Sequence, residues 1–148
     1  MQVRDLMRTE VLTLSIDDDL SVADDLMRLG RVRHLPVVDG GRPVGVVSQR
    51  DLFRAGISTL LDSDVGERER FLARVAVREV MHLDVETIAP DDGVEVAVGI
   101  LLEEKIGCLP VVEDDRIVGL ISETDLLAYL AHLLGSHERR RALPELRA

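Results

Sequence analysis

Shifted against itself by 74 residues without a gap, the chain places Met7 on Met81, Pro36 on Pro110, Gly45 on Gly119 and Asp51 on Asp125. Over Val3 to Leu52 against Val77 to Leu126, about 19 of 50 positions are identical, where composition alone gives roughly one in fifteen. A duplicated chain of 148 residues has to solve one folding problem twice. A unit of about 50 residues buries too little surface to stand alone, so the two copies are expected to pack their faces together across a pseudo-two-fold axis. Residues 1–60 then form the first repeat, 61–76 a helical linker, 77–134 the second repeat and 135–148 a polar tail.

The local patterns give each copy the order β-α-β-β-α, an α+β fold class. In the first copy Thr13-Leu14-Ser15-Ile16 is a short extended run. Asp17-Asp18-Asp19 offers cap residues before a helix whose apolar positions are Val22, Ala23, Leu26, Met27 and Leu29. Leu35-Pro36-Val37-Val38 and Val44-Gly45-Val46-Val47 flank Asp39-Gly40-Gly41-Arg42, a hairpin signal because glycine accepts the positive φ of tight turns. Pro43 removes a ladder donor and belongs at a strand start or an edge. A second helix starts near Ser48. The second copy repeats this order: Pro90-Asp91-Asp92, a helix through Val94, Ala97, Ile100 and Leu101, strands at Leu109–Val112 and Arg116–Ile121, and a helix from Ser122. Its Asp114-Asp115 turn lacks glycine and gives a weaker hairpin signal. Between the copies, Leu60-Leu61, Asp62-Ser63-Asp64 and Glu67 to Leu72 read as helix, turn, helix. The tail from Ser136 through Arg139-Arg140-Arg141 reads as frayed or docked on a partner.

Composition excludes several functions. With 28 acidic against 18 basic residues and a net charge of −10, the chain lacks the basic surface that nonspecific nucleic-acid binding needs. No stretch reaches the roughly 18 apolar residues of a membrane helix, and the first residues carry no apolar run. One cysteine, Cys108, excludes an intrachain disulfide and fits a reducing compartment; the cytoplasm is the expected location. Aromatic content is 2%, so Val, Leu, Ile, Ala and Met must fill the core around Tyr129, Phe53 and Phe71.

The strongest motif is the repeated string Gly45-Val46-Val47-Ser48-Gln49-Arg50-Asp51 and Gly119-Leu120-Ile121-Ser122-Glu123-Thr124-Asp125. Preceded in both copies by Leu-Pro-Val-Val and a turn, and opened by Val3-Arg4-Asp5-Leu6-Met7 and Val77-Arg78-Glu79-Val80-Met81, it resembles the CBS (cystathionine β-synthase type) domain over Val3 to Leu134. Two copies with every element make the match specific; a lone Gly-x-x-Ser-x-x-Asp would not. From the residues alone, Ser-x-x-Asp before an apolar run is also an N-terminal helix cap, with Asp in place of the usual Glu. The two readings are compatible, since a glycine-ended strand running into a helix start sets backbone N–H groups and a positive dipole end beside a cleft.

The resemblance implies that Asp51 and Asp125 accept hydrogen bonds from ribose hydroxyls, with Ser48 and Ser122 near the α-phosphate. It places adenine between Thr13-Leu14 or Thr87-Ile88 and the strand entering at Leu35-Pro36 or Leu109-Pro110. The copies differ in charge at this point: Arg31, Arg33, His34 and Arg50 in the first correspond to Lys105, Gly107, Cys108 and Thr124 in the second. Phosphate favours the basic set, which could equally be a solvated helix end balancing Asp24 and Asp25. Which cleft those side chains face is open. His34 reads as a phosphate contact or a half-buried histidine, and Cys108 as a small buried apolar residue before a reactive thiol. His132, His137 and Glu138 lack metal-ligand spacing, and Met7, Met27 and Met81 read as core fillers.

Two functions remain in view. One is a regulatory module sensing AMP, ADP or ATP, with S-adenosylmethionine less favoured, in the cleft between the copies and signalling to a separate effector protein. The other is a ligand-independent dimerisation scaffold, built on the last helix with Leu126, Leu127, Leu130, Leu133 and Leu134; a homodimer is what the resemblance implies. An enzyme is the poorest fit, because no nucleophile is paired with a base and no Walker loop follows a strand.

Overall fold

A computed structural model describes residues 1–60 and 65–135; the expected turn at Asp62-Ser63-Asp64 and the tail with His137, Glu138 and Arg139-Arg140-Arg141 lie outside the described residues. After a 3-10 turn at Val3–Asp5 come β1 (Leu14–Ser15), α1 (Leu20–Gly30), β2 (His34–Asp39), β3 (Arg42–Ser48), α2 (Gln49–Leu60) and α3 (Val65–Leu72). A short α4 (Val77–Val80), α5 (Val94–Glu104), β4 (Cys108–Glu113), β5 (Arg116–Ser122) and α6 (Glu123–Leu133) complete the order. The two small sheets are β1-β2-β3 and β4-β5, with β1 parallel to β2 and both hairpins antiparallel. β3 lies against β5.

The duplication holds at the level of register. Leu14 pairs with Val37 and Ile88 with Val111; His34 faces Ser48 and Cys108 faces Ser122; a bulge falls after Val37 and after Val111. Pro43 sits opposite Val38 at the first of these bulges. The first strand of the second copy shrinks to the single bridge at Ile88, and the cause is Pro90. In the first copy Ile16 N–H donates to Val38 O at 3.0 Å, whereas Pro90, its counterpart, has no N–H to give. The Asp114-Asp115 turn forms as tightly as the glycine turn: φ is 51° and 62° there, against 59° and 84° at Gly40 and Gly41, the left-handed pair of a type I′ hairpin.

Helix α1 is capped by Asp19, whose carboxylate accepts from Ser21 N (2.8 Å) and Val22 N (3.2 Å). The Ser21 hydroxyl bond leads the effects that lower its pKa, with burial opposing. The helix buries Leu20, Ala23 and Met27. Leu29, expected on that face, is 83% exposed, because two residues past Met27 is about 200° round the helix. α1 and α5 end alike on a left-handed residue, Arg31 (φ 52°) and Lys105 (φ 54°), whose N–H groups donate to Met27 O and Leu101 O.

The opening of each repeat is packed into the other copy. Val77 is fully buried in the core with Leu14, Leu35 and Val47, while Val3 is buried with Ile88, Leu109 and Ile121. Backbone bonds fix this exchange. His82 and Val46 trade N–H···O bonds of 3.0 and 3.2 Å, and Arg8 and Leu120 trade bonds of 2.9 Å each. Further along, Val77 N donates to Asp18 O and Val3 N to Asp92 O. Gly45 and Gly119 are glycine because of this crossing. A Cβ on Gly45 would stand 2.7 Å from Met81 Sδ and 3.1 Å from His82 O, and one on Gly119 would stand 2.6 Å from Met7 Sδ and 3.0 Å from Arg8 O.

Gly45→Ala and Gly119→Ala are therefore each expected to cost about 1–3 kcal/mol as overpacked substitutions, read by urea unfolding. Met81→Ala should suppress part of the Gly45→Ala cost and none of the Gly119→Ala cost. Two alanine variants as stable as the parent would contradict the crossed packing.

Candidate functional site

The Ser-x-x-Asp strings sit where each second strand turns into a helix, and both build a reciprocal cap. Ser48 N donates to Asp51 Oδ2 at 2.7 Å while Asp51 N donates to Ser48 Oγ at 3.2 Å. In the second copy the same bonds measure 2.8 and 3.4 Å between Ser122 and Asp125. Each cap consumes one carboxylate oxygen and leaves the other facing the opening segment of the opposite repeat. Asp51 Oδ1 lies 3.0 Å from His82 Nε2, and Asp125 Oδ1 lies 3.1 Å from Arg8 Nε, with Arg8 Nη2 donating to Ser122 Oγ at 3.2 Å. His82 and Arg8 are duplication partners. Burial pushes the Asp51 carboxyl up, but the Ser48 N–H, the Ser48 hydroxyl and His82 together outweigh it and hold the group below its ordinary value.

Asp51, 9% exposed, borders a cleft of about 1000 Å³. Its walls come from both copies: Val46 and Ser48 on β3, Arg50 and Arg54 on α2, Arg33 and His34 entering β2, Asp24 on α1, Asp84 to Glu86, Lys105 to Cys108 entering β4, and Glu123 at the start of α6. The question left open by the sequence is settled here, since Arg33, His34 and Arg50 share one cleft with Lys105, Gly107 and Cys108; Arg31 does not line it. Arg28 pairs with Asp25 at 2.7 Å and Arg68 with Asp24 at 3.5 Å. Arg33, Arg50, Arg54 and Lys105 form no ion pair among the described residues. The duplication-related cleft, lined by Arg8, Glu10, Val11, Leu12, Val32, His34 and Leu120, has about 380 Å³.

Of the residues singled out in the sequence, His34, Ser48, Arg50, Asp51 and Cys108 line the larger cleft. Ser122 and Asp125 make the second cap, and neither they nor exposed Thr124 line either cleft. Thr13, Leu14, Leu35, Pro36, Thr87, Ile88, Leu109 and Pro110 line neither. Leu14, Leu35, Pro36, Ile88, Leu109 and Pro110 are buried in the cores, and the cleft walls come from the residues just before them, Asp84 to Glu86 and Ile106 to Cys108. His34 borders both clefts, packed so closely on Gly107 that a Cβ there would stand 2.5 Å from its ring. Burial lowers its pKa against the opposing pull of Glu123 and Asp51. Burial also pushes the Cys108 thiol up to about 12, which leaves it protonated and inert. The sequence reading missed His82 and Arg8. The available signal was that both follow the repeated methionine, at matching positions, with side chains able to donate.

The Asp51 cap gives a pH signature. Its folded pKa lies below the unfolded one, so its stabilisation is complete above the unfolded value and is lost as pH falls through the folded value. Asp51→Ala is expected to cost about 1 kcal/mol at neutral pH, the loss of a cap, and less below the unfolded pKa. Thermal melts across that acid range check it; an equal deficit at every pH would contradict the assignment.

Comparison with known proteins agrees with this geometry. The family model of the CBS domain matches residues 3–58 and again 77–132. A CBS domain-containing protein of Dictyostelium discoideum is 30% identical, covering 89% of this chain and 92% of its own length. The crystal structure of a Vibrio cholerae protein named for acetoin utilization (AcuB) superposes with a TM-score of 0.75 at 35% identity, over 94% of this chain and 96% of that one. The chain spans only 13% of an A-adding tRNA nucleotidyltransferase of Geobacter sulfurreducens, to which it is 29% identical over 85% of its own length. It spans 40% of protein MJ1225 of Methanocaldococcus jannaschii, at 36% identity over 74% of its own length. With two matched repeats that exchange their openings and cap both helices through Ser-x-x-Asp, the chain belongs to the CBS domain family as a tandem pair.

Proposed function

We propose that this CBS pair is a regulatory module that binds an adenine nucleotide, AMP, ADP or ATP, in the cleft beside Asp51. The observation that carries the reading is a charge contrast. In a chain of net charge −10, the cleft gathers Arg33, Arg50, Arg54 and Lys105, which form no ion pair among the described residues. They offset its five lining carboxylates, Asp24, Asp51, Asp84, Glu86 and Glu123, of which Asp51 is held in its ionised form beside Ser48. A ligand suited to that arrangement has hydroxyls for the carboxylate and an anionic end for the cations. In this reading the ribose hydroxyls donate to Asp51 Oδ1 in place of His82. The phosphates meet the start of α2 with Arg50, Arg33 and Lys105, and the purine lies among Val46, Val85 and Ile106. Such a ligand joins walls from both copies, so it shifts their relative placement only as far as it binds one arrangement better. An effector protein that contacts both copies reads that shift, and no covalent step is needed.

Known proteins give partial support. A solved structure of MJ1225, described as a proposed archaeal homologue of γ-AMPK, is 31% identical with a TM-score of 0.71 over 88% of this chain and 48% of that one. The CBS pair of MJ0100, solved with 5′-methylthioadenosine and S-adenosyl-L-methionine, is 22% identical and supports the fold alone.

A second reading, dimerisation without ligand, is favoured by the exposed leucines Leu102 on α5 and Leu127, Leu130 and Leu133 on α6, an apolar surface suited to a second copy. Among the described residues no helix is long and apolar enough to cross a membrane.

Calorimetry with AMP, ADP, ATP and S-adenosylmethionine tests the first reading. Affinity should rise with phosphate number and fall with salt, and Asp51→Ala should weaken ATP at least tenfold, about 1.4 kcal/mol; silence from all three nucleotides would end it. For the second reading, sedimentation should give a dimer that Leu127→Glu with Leu130→Glu converts to monomer, and an unmodified chain that sediments as a monomer would exclude it.

A further inference from the structure

The two clefts are related by the duplication but are not equivalent. The larger reaches its Ser48–Asp51 pair; the smaller does not reach Ser122 and Asp125. What stands between is Arg8. We propose that Arg8 is an internal counter-ion that shuts the second cleft, so that the pair takes one nucleotide per chain, beside Asp51, instead of two. The inference rests on the nucleotide reading above for the identity of the ligand.

The two copies differ at this position. His82 holds Asp51 through a single bond of 3.0 Å. Arg8 holds its site at two points, Asp125 Oδ1 at 3.1 Å and Ser122 Oγ at 3.2 Å. Its guanidinium carries a permanent charge, so a neutral ribose hydroxyl would have to replace an ion pair, charged on both sides, with a bond in which only the carboxylate is charged. The phosphate side is poorer in cations, because Thr124 stands where the first copy has Arg50 and Gly107 where it has Arg33, and Arg31, the counterpart of Lys105, does not line the smaller cleft. The space differs too. His34 fills the place that Cys108 has in the larger cleft, and the volumes are about 380 against 1000 Å³.

Arg8 is joined to Leu120 through backbone atoms, so its side chain can be changed while the crossed pairing stays. ATP titrated calorimetrically into the intact chain should saturate at one per chain. Arg8→Gln should raise this to two, Arg8→Lys should keep one, and adding Asp125→Ala to Arg8→Gln should return it to one. If Arg8→Gln fails to fold, as judged by its melt, Arg8→His decides, since histidine, His82, is what the second copy carries at the matching position; it too should bind two. Two ATP per unmodified chain would overturn the proposal, as would one per chain in a folded Arg8→Gln or Arg8→His variant. An unmodified chain that binds no ATP is the failure of the nucleotide reading. The closure by Arg8 is then judged separately: ATP uptake gained by Arg8→His upholds it, and none refutes it.

Discussion

The exchange of opening segments between the repeats is the constraint on which the rest depends. A two- or three-stranded sheet leaves an edge whose N–H and C=O groups need partners. Here the outer side of β3 is met by His82 and that of β5 by Arg8, through paired backbone bonds. Neither half supplies its own covering. Each core is completed by a valine from the other repeat, Val77 or Val3, and so a unit too small to stand alone becomes half of one body.

The same crossing makes the site. Residue 82 lies on β3 because the backbone requires a partner there, and its side chain is thereby delivered to Asp51; residue 8 reaches Asp125 for the same reason. The Ser-x-x-Asp string then serves two ends at once. One carboxylate oxygen closes the helix start and the other remains free to meet something brought across from the opposite copy. Stability and recognition thus share a residue, and the low pKa of Asp51 belongs to the cap before it belongs to any ligand.

Much of this was legible in the chain. The 74-residue offset, the cap triplets and the hairpin residues are local or periodic signals, and they located the elements of both copies, with Ser48, Arg50, Asp51, His34 and Cys108 as candidates. The weaker hairpin signal at Asp114-Asp115 underrated aspartate, which tolerates the left-handed region that glycine favours. The loss of β4's parallel neighbour beyond Ile88 was written in Pro90, a missing donor, but only the pairing of Ile16 with Val38 shows that the donor matters. What could not be read was the crossing itself. Residues 8 and 120 are distant in sequence, and no local pattern distinguishes an opening that packs on its own repeat from one that packs on the other. For that reason the apolar walls were assigned to core residues such as Leu35 and Leu109, whereas the cleft is walled by the residues just before them.

Duplication supplies symmetry, and function in a pair of this kind depends on how the symmetry is broken. Two identical grooves would bind two identical ligands, and occupancy of either would push the halves the same way. Among the substitutions that separate the copies, four meet at the grooves or their caps: Arg33 against Gly107, His34 against Cys108, Arg50 against Thr124 and Arg8 against His82. All four place a permanent cation or a larger ring in the first copy, and because the openings cross, the larger residue of a pair does not always fall on its own groove. His34 reduces the smaller cleft while standing at the wall of the larger. A single side chain therefore makes one groove roomier relative to the other and touches both. A ligand held against it on one side acts on a residue that is also packed on Gly107 of the opposite copy, a second link between the two halves within the cleft, beside the bond from His82 to Asp51.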